Sequence, residues 1–418
     1  MMVRRKFSIG SLLLAAVLTV AFAGAGLGAP KKEKEPPPKK AAVIAAPKRD
    51  KDDPPINATH AILIDAENGS VLFERDADRL IYPASLAKLM TVEYVLHLIK
   101  DGKLKLTDEF PVSENAWRKG GAPSHSSTMF AALNSTVDVD SLLHAVIIQS
   151  ANDACIVLAE GIAGTEAEFA AKLTQRAREI GLPKSTFTNS NGLPDPGTQV
   201  TTHELATLAR VIILNYPNFY PIFGQTEFTW NKIRQQNRNP LLPLGIGADG
   251  LKTGFTNDAG YGLVGSAVQN GLRLIAVVNG LKSAKERAED GKKLLEWGFH
   301  NFEMRQLFAQ GQTIGNAKVY GGATGHVPLE AAGPVRIMVP KAGGEKLIAR
   351  IVYAGPVPAP VKEGLPVGKL KVWRNDNVVL ETPLKTSASI DKGNISQRAF
   401  DAVTELMIGL FRAGAERL

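Results

Sequence analysis

The sequence predicts an α/β protein of the α+β kind: a sheet flanked by helices, followed by a small all-β C-terminal domain and a terminal amphipathic helix. Helical patterns and strand-like runs share residues 58–312, which favours a sheet with segregated helices over a repeat or a barrel. Short alternating strands separated by Gly and Pro occupy residues 313–390, as in a β-sandwich. Apolar residues recur with a helical period within 391–418.

The first 29 residues are predicted to form a secretory signal peptide. A basic start, Arg4-Arg5-Lys6, precedes an apolar stretch from Ile9 to Ala23, and Ala21-Phe22-Ala23 fits a small-x-small cleavage site. The alternative is a retained membrane anchor, because the apolar stretch is only slightly shorter than the roughly 20 residues of a span. In both cases we expect the remaining chain to be exported, to the periplasm.

The positive charge of the chain is concentrated at its N-terminus. Residues 1–56 hold 11 Lys+Arg and 5 Asp+Glu, whereas the remaining 362 residues, by subtraction from the totals of 49 and 41, hold 38 and 36. Residues 30–57 are rich in Lys and Pro and are predicted to be a semi-extended linker. Because the rest is nearly neutral, we expect no nucleic-acid partner.

The segment 58–312 begins with a predicted hairpin over Ala61–Phe73, with a turn at Glu67-Asn68-Gly69-Ser70. Ser85–Lys100 is apolar nearly all round, which indicates a buried helix that ends at Gly102. Further helices are predicted at Val139–Ile148, Ala154–Ile162, Thr165–Ile180, Thr202–Leu214 and Lys285–His300, and strands at Glu227–Trp230, Gly260–Val268 and Arg273–Asn279.

The C-terminal part contains two kinds of pattern, one of short strands and one of a helix. Strands are predicted at Val335–Val339, Lys346–Tyr353, Gly368–Arg374 and Asn377–Glu381. In the last 28 residues, one helical face holds Phe400, Val403, Leu406, Met407, Leu410 and Phe411. This amphipathic helix either packs on the protein or lies in a membrane interface; its balanced charges leave both alternatives open.

Several kinds of site are absent from the sequence. A single cysteine, Cys155, excludes an internal disulfide and any multi-cysteine metal site, and its apolar helical setting predicts a buried hydrophobic residue. No His-Glu-x-x-His pair, phosphate-binding Gly-x-x-x-x-Gly-Lys-Ser/Thr loop or Gly-x-Ser-x-Gly elbow occurs. We therefore expect neither a metal nor another cofactor.

Three short motifs carry the candidate chemistry. Ser85-Leu86-Ala87-Lys88 sets a hydroxyl and an amine on one helical face. Ser150-Ala151-Asn152 lies between two apolar helices, and Lys252-Thr253-Gly254 precedes a predicted strand. The single motifs also occur elsewhere: Ser389 to Lys392 repeats the first spacing, and Ser113-Glu114-Asn115 repeats the second but is predicted to begin a helix as an N-cap.

The three motifs in this order, Ser-x-x-Lys, Ser-x-Asn and Lys-Thr-Gly, form the set of the penicillin-recognising serine enzymes. With Tyr82-Pro83-Ala84 before Ser85, Asn237-Arg238-Asn239 and Asp249-Gly250-Leu251 before Lys252, residues 58–310 resemble the D-alanyl-D-alanine carboxypeptidases, which are low-molecular-mass penicillin-binding proteins. The resemblance implies a β-lactamase/transpeptidase-like fold. It also implies that peptidoglycan stems ending in D-Ala-D-Ala are substrates and that β-lactams bind.

The resemblance also implies the catalytic roles. Ser85 would attack the peptide carbonyl, and Lys88 would take its proton. An amine accepts a proton only when neutral, so burial and a neighbouring ammonium must lower the pKa of Lys88 from its usual value of about 10.4. Ser150 would relay the proton to the leaving amine, and Asn152 would hold a substrate amide. The backbone N–H groups of Ser85 and Phe255 would form the oxyanion hole.

Substrate binding is assigned in the same way. Lys252 and Thr253 would donate to the terminal carboxylate of the substrate, and Gly254 would leave room for substrate beside its strand. Arg238 would supply a fork to the same carboxylate, with a surface ion pair as the alternative. Lys282 is a looser candidate for a second basic contact.

Three other functions are weighed. A class A β-lactamase needs a carboxylate that activates water, usually in Glu-x-x-Leu-Asn, and no such string lies between Asn152 and Lys252. A peptidoglycan endopeptidase uses the same motifs and differs in pocket shape, which the sequence does not reveal. A non-catalytic envelope-binding module would not need the intact trio.

Overall fold

The computed structural model describes residues 53–343, 346–374 and 377–403. The predicted signal peptide, most of the predicted linker and residues 404–418 of the predicted terminal helix lie outside these ranges. None of the described helices is both long and apolar enough to cross a bilayer.

The first part of the described chain joins helices to an antiparallel sheet. Its helices are α1 (Lys88–Lys100), α2 (Glu114–Lys119), α3 (Val139–His144), α4 (Asn152–Ala163), α5 (Glu166–Glu179), α6 (Thr202–Asn215) and α7 (Ala284–Asn301). Its strands are β1 (His60–Asp65), β2 (Val71–Arg75), β3 (Glu109–Pro111), β4 (Thr136–Asp138), β5 (Glu227–Trp230), β6 (Ile233–Gln236), β7 (Ala248–Thr256), β8 (Gly260–Gln269) and β9 (Leu272–Leu281).

The main sheet has the order β2-β1-β9-β8-β7, so β7 is an edge strand. Successive side chains of a strand point to opposite faces, and β9 follows this rule. Ile275 and Val277 enter a core formed with α1, α4 and α6, whereas Leu274, Ala276 and Val278 enter a second core under α7. Both faces of the central strands are therefore buried, which explains why β9 is apolar from Leu274 to Val278.

Five of these helices begin at a side-chain cap. The caps, each accepting a hydrogen bond from a backbone N–H of the first turn, are Ser113, Asp138, Thr165, Thr201 and Ser283. The Ser113 cap confirms the sequence interpretation of that motif. By contrast, α1 and α4 have no side-chain cap. Their first N–H groups bond to the backbone instead: that of Lys88 to the preceding 3₁₀ turn and that of Asn152 to the Ser127 carbonyl, and these two helices begin at the candidate motifs.

The second part is all β. Its strands are β10 (Phe302–Phe308), β11 (Gly315–Tyr320), β12 (His326–Ala331), β13 (Val335–Pro340), β14 (Leu347–Tyr353), β15 (Val357–Pro358), β16 (Pro366–Arg374) and β17 (Asn377–Thr386). A sheet of order β14-β16-β17-β12-β11-β15 packs with the pair β10-β13 around one core. Met338 joins the core under α7, so the two parts pack together.

The fold class is confirmed: helices flank a sheet, and a β domain follows. One predicted helix is shorter than expected, because α3 ends at His144 and a π-helical turn, Ala145–Gln149, replaces its last residues. The sequence predicted the N-cap of α2 at Ser113 but not the extent of this helix, and it did not predict β3, β4, β6, β10, β11, β12 or β15. The terminal helix begins at residue 395 and is described to residue 403.

Candidate active site

Ser85 lies in a 3₁₀ turn, Ala84–Ala87, that leads directly into α1. The residue before it, Ala84, has a positive φ of 48°, a conformation that a residue with a side chain adopts only under strain. Gly192 packs against this turn so closely that a Cβ there would meet the Ala84 carbonyl oxygen at 1.9 Å. The turn that carries Ser85 is therefore tightly packed against Gly192 at the start of α1.

The Lys88 amine lies 2.9 Å from Ser85 Oγ and donates a hydrogen bond of 2.6 Å to the backbone carbonyl of Asn191. Lys88 is completely buried. Burial lowers the pKa of Lys88 to about 8, and the charge of Arg238 acts in the same direction. One N–H is thus committed to Asn191, so a neutral amine has its lone pair available for the Ser85 hydroxyl.

Ser150 and Asn152 occupy the connection between the π-helical turn and α4. Ser150 has a φ of 66°, in the left-handed region. The backbone N–H of Asn152 donates to the Ser127 carbonyl at 2.7 Å, and its Nδ2 donates to Ser126 Oγ at 2.9 Å. Its Oδ1 is buried and has no hydrogen-bond partner in the described structure. That oxygen is a ready acceptor for an N–H group of a ligand.

Lys252 and Thr253 are buried on β7, next to the turn that carries Ser85. Lys252 Nζ donates to the Thr253 carbonyl at 3.1 Å. Burial lowers the pKa of Lys252 well below its usual value, and the charges of Lys88 and Arg238 add to this effect. The site therefore disfavours a positive charge on Lys252 unless a ligand anion lies nearby.

The position of Gly254 on β7 has a packing constraint that the sequence did not reveal. A Cβ at this position would lie 3.0 Å from the Pro83 carbonyl oxygen and 3.1 Å from Leu86 Cγ. The missing side chain therefore lets β7 approach the turn of Ser85, and Gly254 also lies in the lining of the cleft beside it.

A cleft of about 570 Å³ unites these groups. Seven of the predicted residues line it: Ser85, Ser150, Asn152, Arg238, Thr253, Gly254 and Phe255. Lys88 lies beneath it, hydrogen-bonded to Ser85, and Lys252 precedes Thr253 on the strand. Arg238 forms no ion pair in the described ranges; its Nε donates to Gln149 Oε1 at 3.3 Å. It is thus free to meet a carboxylate in the cleft.

Sequence reasoning missed several residues of this site. Ser126, Ser127 and Arg287 also line the cleft, and Asn191 orients Lys88. Arg287 lies on α7, a helix that carries no motif, and its guanidinium packs over the ring of Tyr261 on β8. The looser candidate Lys282 lies outside the cleft lining, in a neighbouring depression. Only Asn191 had a signal, the Asn-Ser-Asn-Gly run that ends in Gly192.

The remaining motif matches are structural. Ser389 Oγ accepts a hydrogen bond from the backbone N–H of Glu363 in the β domain. Cys155 is buried in α4, where burial raises the pKa of its thiol to about 12. Neither residue belongs to the cleft lining.

A serine on a helix-leading turn, a buried lysine that contacts it and an edge strand beside both define the class of penicillin-recognising serine enzymes. Comparison with known proteins supports a narrower assignment. The family model described as D-alanyl-D-alanine carboxypeptidase matches residues 47–283, and that of the penicillin-binding protein 5 C-terminal domain matches residues 302–392.

Individual relatives agree over most of the chain. D-alanyl-D-alanine carboxypeptidase DacC of Escherichia coli is 38% identical over 83% of this chain and 88% of its own. Penicillin-binding protein 5 of Haemophilus influenzae is 36% identical and superposes with a TM-score of 0.72, covering 81% of this chain and 99% of its own. Penicillin-binding protein D2 of Listeria monocytogenes, in an ampicillin-bound form, is 31% identical with a TM-score of 0.54, covering 59% and 99%.

The chain belongs to the D-alanyl-D-alanine carboxypeptidase family, and it is a serine-type carboxypeptidase of that family. The resemblance inferred from the three motifs is thereby confirmed.

Proposed function

We propose that this enzyme removes the terminal D-alanine from peptidoglycan stem peptides through an acyl-enzyme on Ser85. One observation carries the assignment: the buried Lys88 amine lies 2.9 Å from Ser85 Oγ, and the Asn191 carbonyl fixes its orientation. A nucleophile in contact with a base that a third group orients is the recurring arrangement of covalent catalysis.

In the first half-reaction, neutral Lys88 takes the Ser85 proton as Oγ attacks the carbonyl carbon of the penultimate D-alanine. The developing negative oxygen accepts hydrogen bonds from the backbone N–H groups of Ser85 and Phe255. Ser150 relays a proton from Lys88 to the leaving nitrogen, the C–N bond breaks, and D-alanine departs. Water then attacks the ester carbonyl. Its hydroxyl becomes part of the new carboxyl group of the shortened peptide, and its proton returns to Ser85.

The substrate is proposed to lie along the edge of β7 as an added strand. Thr253, Arg238 and Lys252 receive its terminal carboxylate, with Arg287 as a further cation in the cleft. The approaching anion favours the protonated form of Lys252. Oδ1 of Asn152, which has no partner among the described residues, accepts the amide N–H of the acyl part.

We also propose that penicillins acylate Ser85 and leave slowly. A β-lactamase needs a carboxylate that activates the deacylating water. Among the described residues, those that line the cleft include no aspartate or glutamate. This observation favours a target of the drug over an enzyme that destroys it.

The location is proposed from the ends of the chain. The predicted signal peptide supports export to the periplasm. The terminal helix, in which Ile395 is 84% exposed, is a candidate contact with the outer face of the cytoplasmic membrane. Vesicle flotation of the chain with and without residues 394–418 distinguishes this contact from packing on the protein.

The function is tested with two reagents on the purified chain and its Ser85→Ala variant. A labelled penicillin should attach covalently to the parent only, and a peptide ending in D-Ala-D-Ala should release D-alanine with the parent only. Equal labelling of the variant would show that Ser85 is not the nucleophile. Rapid penicillin turnover without D-alanine release would identify a β-lactamase instead.

Acylation by penicillin should accelerate as pH rises and should level off above the pKa of Lys88, about 8. The sign follows because only the neutral amine accepts the Ser85 proton, and the neutral fraction grows with pH. The measurement is the second-order acylation rate over a pH series in which folding is checked by circular dichroism. A rate that falls through this pH range would contradict Lys88 as the base.

A further inference from the structure

A second, smaller cavity opens beside the catalytic cleft. Its volume is about 180 Å³. It shares Gly192, Leu193 and Thr256 with the catalytic cleft. The cavity therefore adjoins the cleft along these residues.

The walls of the cavity are largely apolar, and its ionisable side chains other than Tyr82 are two carboxylates, beside the hydroxyls of Thr198 and Thr256. Tyr82, Leu193 and the prolines of the segment 194–196 provide the apolar surface, and Asp195 and Asp258 provide two carboxylates. Asp195 Oδ1 accepts a hydrogen bond of 2.8 Å from the Gly197 N–H, which restrains this side chain. In the part of the chain that the structure describes, neither carboxylate forms an ion pair. Apolar walls with unpaired negative charge suit an aliphatic chain that ends in a cation.

The direction of the substrate leads to the same place. The proposed carboxylate contact, Thr253, lies three residues before Thr256 on β7, about 10 Å away at ~3.3 Å per residue. The proposed oxyanion donor, Phe255, lies between them. A substrate strand with its carboxylate at Thr253 and its acyl carbon near Phe255 must carry its preceding residue to Thr256, where the cavity opens.

We propose that this cavity binds the side chain of the residue that precedes the acylated D-alanine, the third residue of the stem, and selects an aliphatic side chain with a free terminal ammonium. The inference rests on the proposed function, since it requires a peptide acyl group on Ser85. Asp195 is the principal acidic contact. Asp258 also lines the depression that Lys282 lines, so the positive charge of Lys282 partly offsets the contribution of Asp258.

The test compares Nα-acetyl-L-Lys-D-Ala-D-Ala with the Nα,Nε-diacetyl peptide, which differs only in the loss of the ammonium. The quantity measured is the ratio of the two kcat/KM values for D-alanine release, with active enzyme counted by labelled penicillin. The parent should favour the free amine about tenfold, as for a charge-assisted hydrogen bond at a partly open site. Salt should reduce the ratio.

Asp195→Asn should reduce this preference, and the double variant with Asp258→Asn should bring the ratio to about one. Glu74→Gln is the matched control, because it removes an exposed carboxylate from β2, at the opposite edge of the sheet; it should keep the parental ratio. A ratio near one in the parent, or a parental ratio in the double variant, would overturn the inference. If penicillin labels the parent but neither peptide releases D-alanine, the proposed function fails, and the inference fails with it.

Discussion

Replacing Lys88 by arginine should slow penicillin acylation and D-alanine release by about 10³- to 10⁴-fold, the range of a lost general base with some misplacement of the nucleophile. Arginine keeps the positive charge and the length of the side chain but cannot be deprotonated in a protein. It therefore separates the need for a base at Ser85 from a need for a cation. The measurements are the second-order acylation rate and the rate of D-alanine release.

Two further variants make this result interpretable. Lys100→Arg changes an exposed lysine at the end of the same helix, α1, and should leave both rates unchanged. Lys88→Met removes the charge as well as the lone pair, and it should be as slow as Lys88→Arg if the base is what matters. An arginine variant that acylates at more than a tenth of the parental rate would show that a cation at this position is sufficient.

The candidate site could be predicted from the sequence to the extent that its residues are close in sequence. Ser85 and Lys88, or Ser150 and Asn152, lie within one turn, so their spacing already expresses their geometry. Asn191 is more than one hundred residues from Lys88, and it contributes a backbone carbonyl; the Asn-Ser-Asn-Gly run indicates a turn there but not this contact. Arg287 is one of four Lys and Arg residues on an ordinary amphipathic helix, and only the packing of α7 brings it to the cleft.

The same distinction explains the fold predictions. Strand β9 and helix α6 were predicted because strong apolar patterns continue over at least ten residues. Strand β7 was not assigned as a full strand, since its sequence Ala-Asp-Gly-Leu-Lys-Thr-Gly-Phe-Thr has no clear alternation. Its residues contact the Ser85 turn and line the cleft, so they do not form a regular apolar face toward a core. Helix α2 has six residues, too few to show a period.

The roles of individual residues needed the structure even where the motif was correct. Gly254 illustrates this, because only the structure shows that its missing side chain lets β7 approach Pro83 and Leu86. Ser150 illustrates it again: its left-handed φ arises where the π-helical turn ends. Side-chain direction at such points depends on a local break in the helix, which periodicity does not encode.

The largest stability effect should come from Glu93, which is completely buried on α1. Its carboxylate accepts hydrogen bonds from Arg176 of α5, at 2.9 Å, and from the Tyr216 hydroxyl, at 2.8 Å. Glu93→Ala leaves a largely buried guanidinium and a buried hydroxyl without this partner. Removing one member of a buried ion pair costs about 3–5 kcal/mol. We expect the lower end, because Arg176 keeps a second ion pair with Glu179 at 3.1 Å.

Urea unfolding followed by circular dichroism measures this loss against two graded controls. Tyr216→Phe removes one hydrogen bond and should lower the free energy of unfolding by about 1 kcal/mol. Glu179→Ala removes the outer, half-exposed partner of Arg176 and should change it by less than about 1 kcal/mol. Because α1 also carries Lys88 at its first residue, Glu93→Ala should keep acylation activity well below its melting temperature. If Glu93→Ala were no more destabilising than Glu179→Ala, Glu93 would not be the electrostatic anchor that joins α1 to α5.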